Sequence, residues 1–481
     1  MINFWTRYKY WICLGLLFLI LRLPSLFEPY WYGDEGIYLT LGQGIRKGLL
    51  LYSQIHDNKP PTLYYLAAIS QTVFGFRLLL GLVMIPTIFF FYKLALHFFD
   101  SKFAKISTFI FLILTSIPCL EGNIANAEVF MLLPTILGIL YFLTAKKKIS
   151  YLASGLFLGL AFSIKIPVFI EVLFLVVWFV LSNISKIKQH FWSLFLKLIL
   201  FGAGFLTPIL IYLVYFSIHN VFWQFLNSAL LQNFSYLSSW ATGTQTAPAS
   251  SGGLMTRLLL LIIFWVIVYL LQFKKIISQK TSFLFFWFGA TIFGVLLSTR
   301  PYPHYLIQAL PPFCLIIPLL LKSKIDFKKI FTLIVFFISF LIIKKYQFYF
   351  YPTLKYYSNF YSFQSTASYY QFFGDQTNNN YQIASYIKKN TTPTDRIFVW
   401  GDEPYLYALS DRLPVGRYTV AYHIVDFNGY QETIDAIKAH SPKFVVYYPM
   451  SNRSFPDLDY LLNRYYFLDK IFGSVLVFEK R

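Results

Sequence analysis

The sequence is short of charge. Only 13% of its 481 residues are Asp, Glu, Lys or Arg, about half the roughly 25% of ordinary soluble domains, which excludes a soluble cytosolic enzyme and a disordered chain. Acids are scarcer still, 21 against 41 Lys and Arg, for a formal net charge of +20. The lysines stand in short clusters between apolar runs rather than along one basic face, so this charge reports topology and not a nucleic-acid surface. The three cysteines, Cys13, Cys119 and Cys314, each lie inside an apolar stretch, which excludes a disulfide framework and a spaced zinc motif. A Walker lysine loop, GxGxxG, HExxH and a paired CxxC are also missing, as is any repeat of solenoid period.

What is abundant is apolar. Hydrophobic residues make up 57% and aromatic ones 21%, a composition suited to a polytopic α-helical membrane protein with many interfaces to anchor. Arg7 and Lys9 precede an apolar run from Tyr10 to about Leu26, and no small-residue cleavage site follows at Phe27, Glu28, Pro29 or Tyr30, so an uncleaved anchor helix is expected. Stretches approaching the roughly 20 residues that cross a bilayer begin near Tyr10, Arg77, Phe103, Glu128, Ile149, Pro167, Trp192, Leu254, Phe283, Tyr305 and Ile330. This predicts about eleven spans. The apolar segment Pro61 to Phe74 is shorter and reads as a re-entrant or juxtamembrane helix.

With the N-terminus inside, one set of loops collects Lys93, Lys102, Lys105, Lys146 to Lys148, Lys186, Lys188, Lys274, Lys275, Lys280, Lys322, Lys324, Lys328 and Lys329, as the positive-inside rule requires. The opposite face then carries outer loops 28–76 and 219–253, together with Lys165 and Arg300 to His304. The expected organisation is a transmembrane region 1–345, an aromatic interfacial linker 346–373 and a small extracytoplasmic α/β domain 374–481. In the last, Arg396 to Trp400, Lys443 to Tyr448 and Ser474 to Phe478 read as buried strands, and Tyr381 to Lys389 and Gln431 to His440 as helices.

Four constellations share the outer face. Trp31-Tyr-Gly-Asp34-Glu35-Gly-Ile-Tyr38 sets two carboxylates near the membrane surface, where an acid can take a proton from an acceptor hydroxyl; Asp34 could equally cap a helix starting at Glu35. His56-Asp57-Asn58-Lys59-Pro60-Pro61 offers an ammonium placed for a phosphate, or one that snorkels to the headgroups. In Gly155-Leu-Phe-Leu-Gly159-Leu-Ala161 to Lys165 and Pro167, small residues four apart allow close helix packing, while Lys165 must find an anion, a carbonyl or water. Arg300-Pro-Tyr302-Pro-His304-Tyr305 joins a phosphate-binding cation to a histidine at a helix entrance, although a lone interfacial His is commonly structural. Glu121 and Glu128 flank two spans on the same side, and Glu128 could also serve its helix dipole. The loop after Asn220, with Trp223, Tyr236 and Trp240, has the aromatic and amide content of a recognition loop or of an interfacial helix. Sequons at Asn233, Asn390 and Asn452 are too short a pattern to weigh.

In feature order, the acidic pair, the Lys-Pro-Pro, the Gly-Leu-Ala-x-x-x-Lys-x-Pro run and the Arg-x-x-x-His-Tyr entrance resemble the GT-C glycosyltransferases of family 39. That family includes protein O-mannosyltransferases and is similar to the bacterial transferases that place aminoarabinose on lipid A. The resemblance implies a polyprenyl-phosphate-linked sugar donor, a protein, lipid or glycan acceptor on the non-cytoplasmic side, and inversion at the anomeric carbon. It implies Asp34 as general base or acceptor-orienting acid with Glu35 beside it, and Lys59, Lys165, Arg300 and His304 as donor-phosphate contacts. Tyr38, His56, Asp57, Tyr302 and Trp223 would contact substrate or acceptor. Some members are metal-assisted, which makes Glu128 a candidate ligand for a divalent cation. The rival reading is a lipid-linked glycan flippase, whose polar residues would gather near the bilayer midplane in interrupted helices.

Overall fold

In the computed structural model, residues 2–233, 251–297, 300–322, 327–347, 350–362, 365–450 and 452–481 are described. The chain is a largely helical multi-span membrane protein with a small C-terminal mixed sheet. Each expected apolar stretch forms a helix that contains, or begins one residue after, its expected start. Among the described residues, five helices are long and apolar enough to cross a membrane by length and composition: Tyr8–Phe27, Val73–Phe98, Ile184–Ile218, Gly253–Phe273 and Pro303–Leu321. Others are shorter than expected. Ser101–Leu114 and Ile149–Phe162 have 14 residues each, and at 1.5 Å per residue about 21 Å falls short of a hydrocarbon core about 30 Å thick. The short apolar segment after Pro61 is a helix of 9 residues, Thr62–Ser70, stopped by Gln71 at φ 67°.

Two compact units emerge from the chain. The first comprises Met1–Leu23, Leu80–Tyr215 and Gln232–Tyr356; the second comprises Pro24–Leu79, Phe216–Leu231 and Tyr357–Arg481. In the first unit, helices Ile149–Phe162 and Ile187–Ile218 meet backbone to backbone. A methyl group on Gly155 would overlap the Phe201 carbonyl, one on Gly159 the Phe205 carbonyl, and one on Gly204 the Leu152 carbonyl. Small residues four apart therefore serve packing here, where lipid removes the hydrophobic drive between helices.

The second unit joins the segment Pro24–Leu79 to the C-terminal α/β domain. Its sheet contains β1 (Arg396–Trp400), β2 (Leu413–Pro414), β3 (Phe444–Tyr447), β4 (Tyr466–Phe472) and β5 (Val475–Lys480) in the order β2-β1-β3-β5-β4. β1 runs parallel to β2 and β3, while β5 is antiparallel to β3 and β4. Alternation along β1 divides the core. Ile397 and Val399 pack with Ile383 and Ile387 of helix Thr377–Asn390, whereas Phe398 and Trp400 pack with Ile434, Ile437, Leu458 and Leu461. The edge strand β4 exposes most of its length and β2 has two residues, so neither carries the continuous buried run that marks β1 and β3.

Helix Gly33–Arg46 sits against this domain and against Thr62–Ser70. Thr40 donates to the Pro404 carbonyl at 2.8 Å, and Gln43 donates to Asp411 at 2.9 Å. A methyl group on Gly42 would meet the backbone of Ala67 and Ala68. The prediction concerns the first unit: Gly155→Ala or Gly159→Ala should cost about 1–3 kcal/mol through overpacking. Gly202→Ala, at a position with nothing within 4 Å, should be near neutral in the same thermal-unfolding series.

Candidate functional site

Backbone chemistry places the acids first. The chain bends at Tyr30 and enters helix Gly33–Arg46 with Asp34 and Glu35 in the first turn, where carboxylates complement the helix dipole. The two then part. Glu35 is buried, and both its oxygens take hydrogen bonds from Arg77, at 2.8 Å from Nε and 2.5 Å from Nη2. The same guanidinium reaches Glu28 at 2.6 Å and the Ser25 carbonyl at 2.9 Å, and Trp31 donates its indole N–H to Glu28. Asp34 retains 28% side-chain exposure and meets Lys59 instead.

Lys59 lies between two carboxylates, with its Nζ 3.7 Å from Asp34 Oδ2 and 3.7 Å from Asp57 Oδ2. The Tyr38 hydroxyl donates to Asp34 at 3.1 Å, and the ammonium sits 5.0 Å from the Tyr38 ring centroid. Asp57 is buried and accepts from the Tyr64 hydroxyl at 2.8 Å and from the Asn58 amide at 2.7 Å. Burial alone would push its carboxyl up; the Lys59 ammonium, His423 and those hydrogen bonds outweigh it and hold the group below the usual carboxylate range. The C-terminal domain adds His423, whose Nε2 is 3.6 Å from Asp57 Oδ1. His56 stands with its ring centroid 5.7 Å from that of His423, and its Nδ1 is 3.3 Å from the hydroxyl of Ser228, within a π-helical turn at Asn227–Leu231. Burial drives His423 down to about 4 and His56 to about 3, so both imidazoles are neutral near pH 7. A partly exposed acid, an ammonium and buried supports thus occupy one place. Such a group can accept a proton and bind a phosphate.

A second polar cluster forms within the first unit. Lys165 finds its anion in Glu128, at 2.7 Å. His304 Nδ1 lies 2.5 Å from Glu121, its Nε2 is 3.9 Å from Glu128, and its ring stacks on Tyr302 with centroids 5.6 Å apart. Lys165 also lies over the Tyr305 ring at 5.1 Å. Glu121 holds its position with a left-handed backbone, φ 57°. Arg300 is half-buried just before the 3-10 turn Pro303–Ala309. Among the described residues no three His, Cys, Asp or Glu side chains converge as a metal site. With an ammonium already against it, Glu128 does not fit as a metal ligand.

Of the loop residues, Trp223 is 67% exposed on helix Phe222–Leu226, beside the Phe222 ring. Tyr236 and Trp240 lie outside the described residues. Sequence reasoning missed Arg77 and Glu28, although a lone Arg inside an apolar helix is a signal in itself. Tyr64, Ser228 and His423 are brought in by packing, and no local pattern announces them.

No protein-family model and no curated protein sequence matches the chain. Solved structures do. ArnT from Cupriavidus metallidurans bound to undecaprenyl phosphate aligns with a TM-score of 0.62 at 12% identity, covering 98% of each chain. The apo state of the same protein gives 0.61 at 13%, with the same coverage. The archaeal oligosaccharyltransferase AglB from Archaeoglobus fulgidus, in complex with an inhibitory peptide and a dolichol-phosphate, gives 0.49 at 12%, over 98% of this chain and 74% of that one. The fold is ArnT-like.

Two predictions follow from the geometry. Arg77→Leu would strand two buried carboxylates and should cost about 3–5 kcal/mol, seen as loss of folded protein rather than as a selective loss of activity. The two histidines bind protons more readily in the unfolded chain, near 6.5, than in the fold. Their contribution to stability is therefore complete above the unfolded value and is lost as pH falls through about 4 and about 3. The melting temperature should drop on acidification from about pH 7 to pH 4, and the drop should be shallower in His423→Asn.

Proposed function

We propose that the chain is an integral membrane glycosyltransferase of the family 39 type, moving a sugar from a polyprenyl-phosphate donor to an acceptor hydroxyl on the non-cytoplasmic side. The observation that carries this reading is the Asp34–Lys59–Asp57 arrangement, a partly exposed acid set 3.7 Å from an ammonium. Agreement over nearly the whole chain with ArnT, a protein solved with undecaprenyl phosphate, supports it. In this proposal Asp34, oriented by Tyr38, removes the acceptor proton as the acceptor oxygen bonds to the anomeric carbon. The bond from that carbon to the phosphate oxygen breaks on the opposite face, and polyprenyl phosphate leaves with inversion. Lys59 neutralises the charge that grows on the leaving phosphate, which is where a preorganised cation contributes most.

Glu35, held by Arg77, positions the helix that carries Asp34. Asp57 and His423 fix Lys59. Lys165 and His304, with Glu128 and Glu121, form a further phosphate-binding candidate in the first unit, and Arg300, Tyr302 and Trp223 are assigned to donor and acceptor contacts. The proposed topology puts the N-terminus in the cytoplasm, residues 1–345 in the transferase region, 346–373 at the interface and 374–481 outside the cell membrane. The acceptor is a protein, lipid or glycan hydroxyl.

Asp34→Asn should lower sugar transfer by about 10²–10⁴-fold, the usual weight of a general base, with unchanged melting temperature. Lys59→Ala should weaken donor use as well. Full transfer by well-folded Asp34→Asn protein would remove the assigned base.

A further inference from the structure

The C-terminal domain holds a second polar place that the transfer chemistry above does not use. In the order β2-β1-β3-β5-β4, the connection leaving β1 runs to β2 on one side and the one leaving β3 runs to β4 on the other, so the carboxyl ends of these adjacent parallel strands border a topological switch point, the place where open α/β sheets take ligands. The loop after β1 carries Asp402 and Glu403, and the segment after β3 carries Arg453. Arg453 Nη1 pairs with Asp402 Oδ2 across that point. Asp402 Oδ1 accepts from the Tyr422 amide at 3.2 Å, and the guanidinium carbon of Arg453 lies 6.0 Å from the Tyr422 ring centroid.

This place adjoins the acid cluster of the first loop through His423. Tyr422 is followed by His423, which rests on Asp57, which in turn neighbours Lys59 and Asp34. Two buried polar atoms along this line, His423 Nδ1 and Glu403 Oε2, have no hydrogen-bond partner among the described residues, although His423 is only 2% exposed. Buried polar groups are costly to leave unpaired, so such a pair of atoms points to a ligand. Asp402 and Arg453 remain reachable, at 37% and 19% side-chain exposure. An acceptor-only carboxylate beside a forked donor matches the vicinal hydroxyls of a sugar ring, and Tyr422 offers the apolar wall that such a ring needs.

We propose that Asp402, Arg453 and Tyr422, with His423 and Glu403 beneath them, form a carbohydrate-binding subsite that holds the sugar ring next to Asp34. This deepens the transferase reading and rests on it. The sugar can arrive on the polyprenyl donor or as a glycan acceptor, and the test separates the two sources.

Full-length protein in lipid nanodiscs would be titrated with bare undecaprenyl phosphate, with undecaprenyl-phosphate hexose and with methyl hexosides. Wild type would be compared with Asp402→Asn, which keeps the acceptor for the Tyr422 amide, and with Arg453→Gln; melting temperatures would serve as folding controls. Affinity for the lipid hexose should fall at least tenfold in both variants while bare lipid phosphate binds as before, which assigns the donor sugar. A tenfold loss confined to the methyl hexosides assigns a glycan acceptor. Unchanged affinity for both sugars in folded variants overturns the subsite while leaving the transferase reading in place. If wild type binds none of the three ligands, both fall.

Discussion

Everything around the first turn of helix Gly33–Arg46 depends on one buried guanidinium. Arg77 satisfies Glu35 through two hydrogen bonds, Glu28 through a third and the Ser25 carbonyl through another. Charges this deep are tolerated only when paired and fully hydrogen-bonded. The pairing ties the end of the first helical segment to the start of Val73–Phe98 and to the first turn of Gly33–Arg46. Asp34 is the neighbour of a residue that cannot move, and so is delivered to Lys59 without being buried itself.

The same economy of charge recurs around each lysine of interest. Lys59 is matched by Asp34 and Asp57, and Lys165 by Glu128. In each place a histidine approaches the carboxylate, His423 in the second unit and His304 in the first. A carboxylate that holds an ammonium keeps it oriented and desolvated, and a phosphate can then compete for the same cation. The α/β domain belongs to this arrangement. Its Pro404 carbonyl and Asp411 receive Thr40 and Gln43 of the acid-bearing helix, and the carbonyl of Arg417 receives the amide of His56.

Much of the fold was legible because its signals are local. Apolar length marked the helices, and the burial of β1 and β3 marked the strands. The paired glycines at 155 and 159 marked a close crossing, and the packing against Phe201 and Phe205 is the physical counterpart. Helix lengths were less legible, since stops such as Thr115 and Ser163 are set by turns rather than by hydropathy. Asp34, Lys59, Lys165 and His304 stood out in the sequence because isolated charge beside lipid is costly. The separate fates of Asp34 and Glu35 could not be read from adjacent letters, because Arg77 lies 42 residues away from Glu35. His423 joins Asp57 only through the tertiary fold, and the switch point exists only once the strand order does.

The most direct measurement is to incubate the purified wild-type protein, in lipid, with a panel of labelled polyprenyl-phosphate sugars and to follow both the freed lipid phosphate and the sidedness of the intact donor. Release of polyprenyl phosphate with loss of its sugar is the result this account predicts. Movement of intact lipid-linked sugar between leaflets, with no cleavage of any donor, would contradict it and identify a transporter.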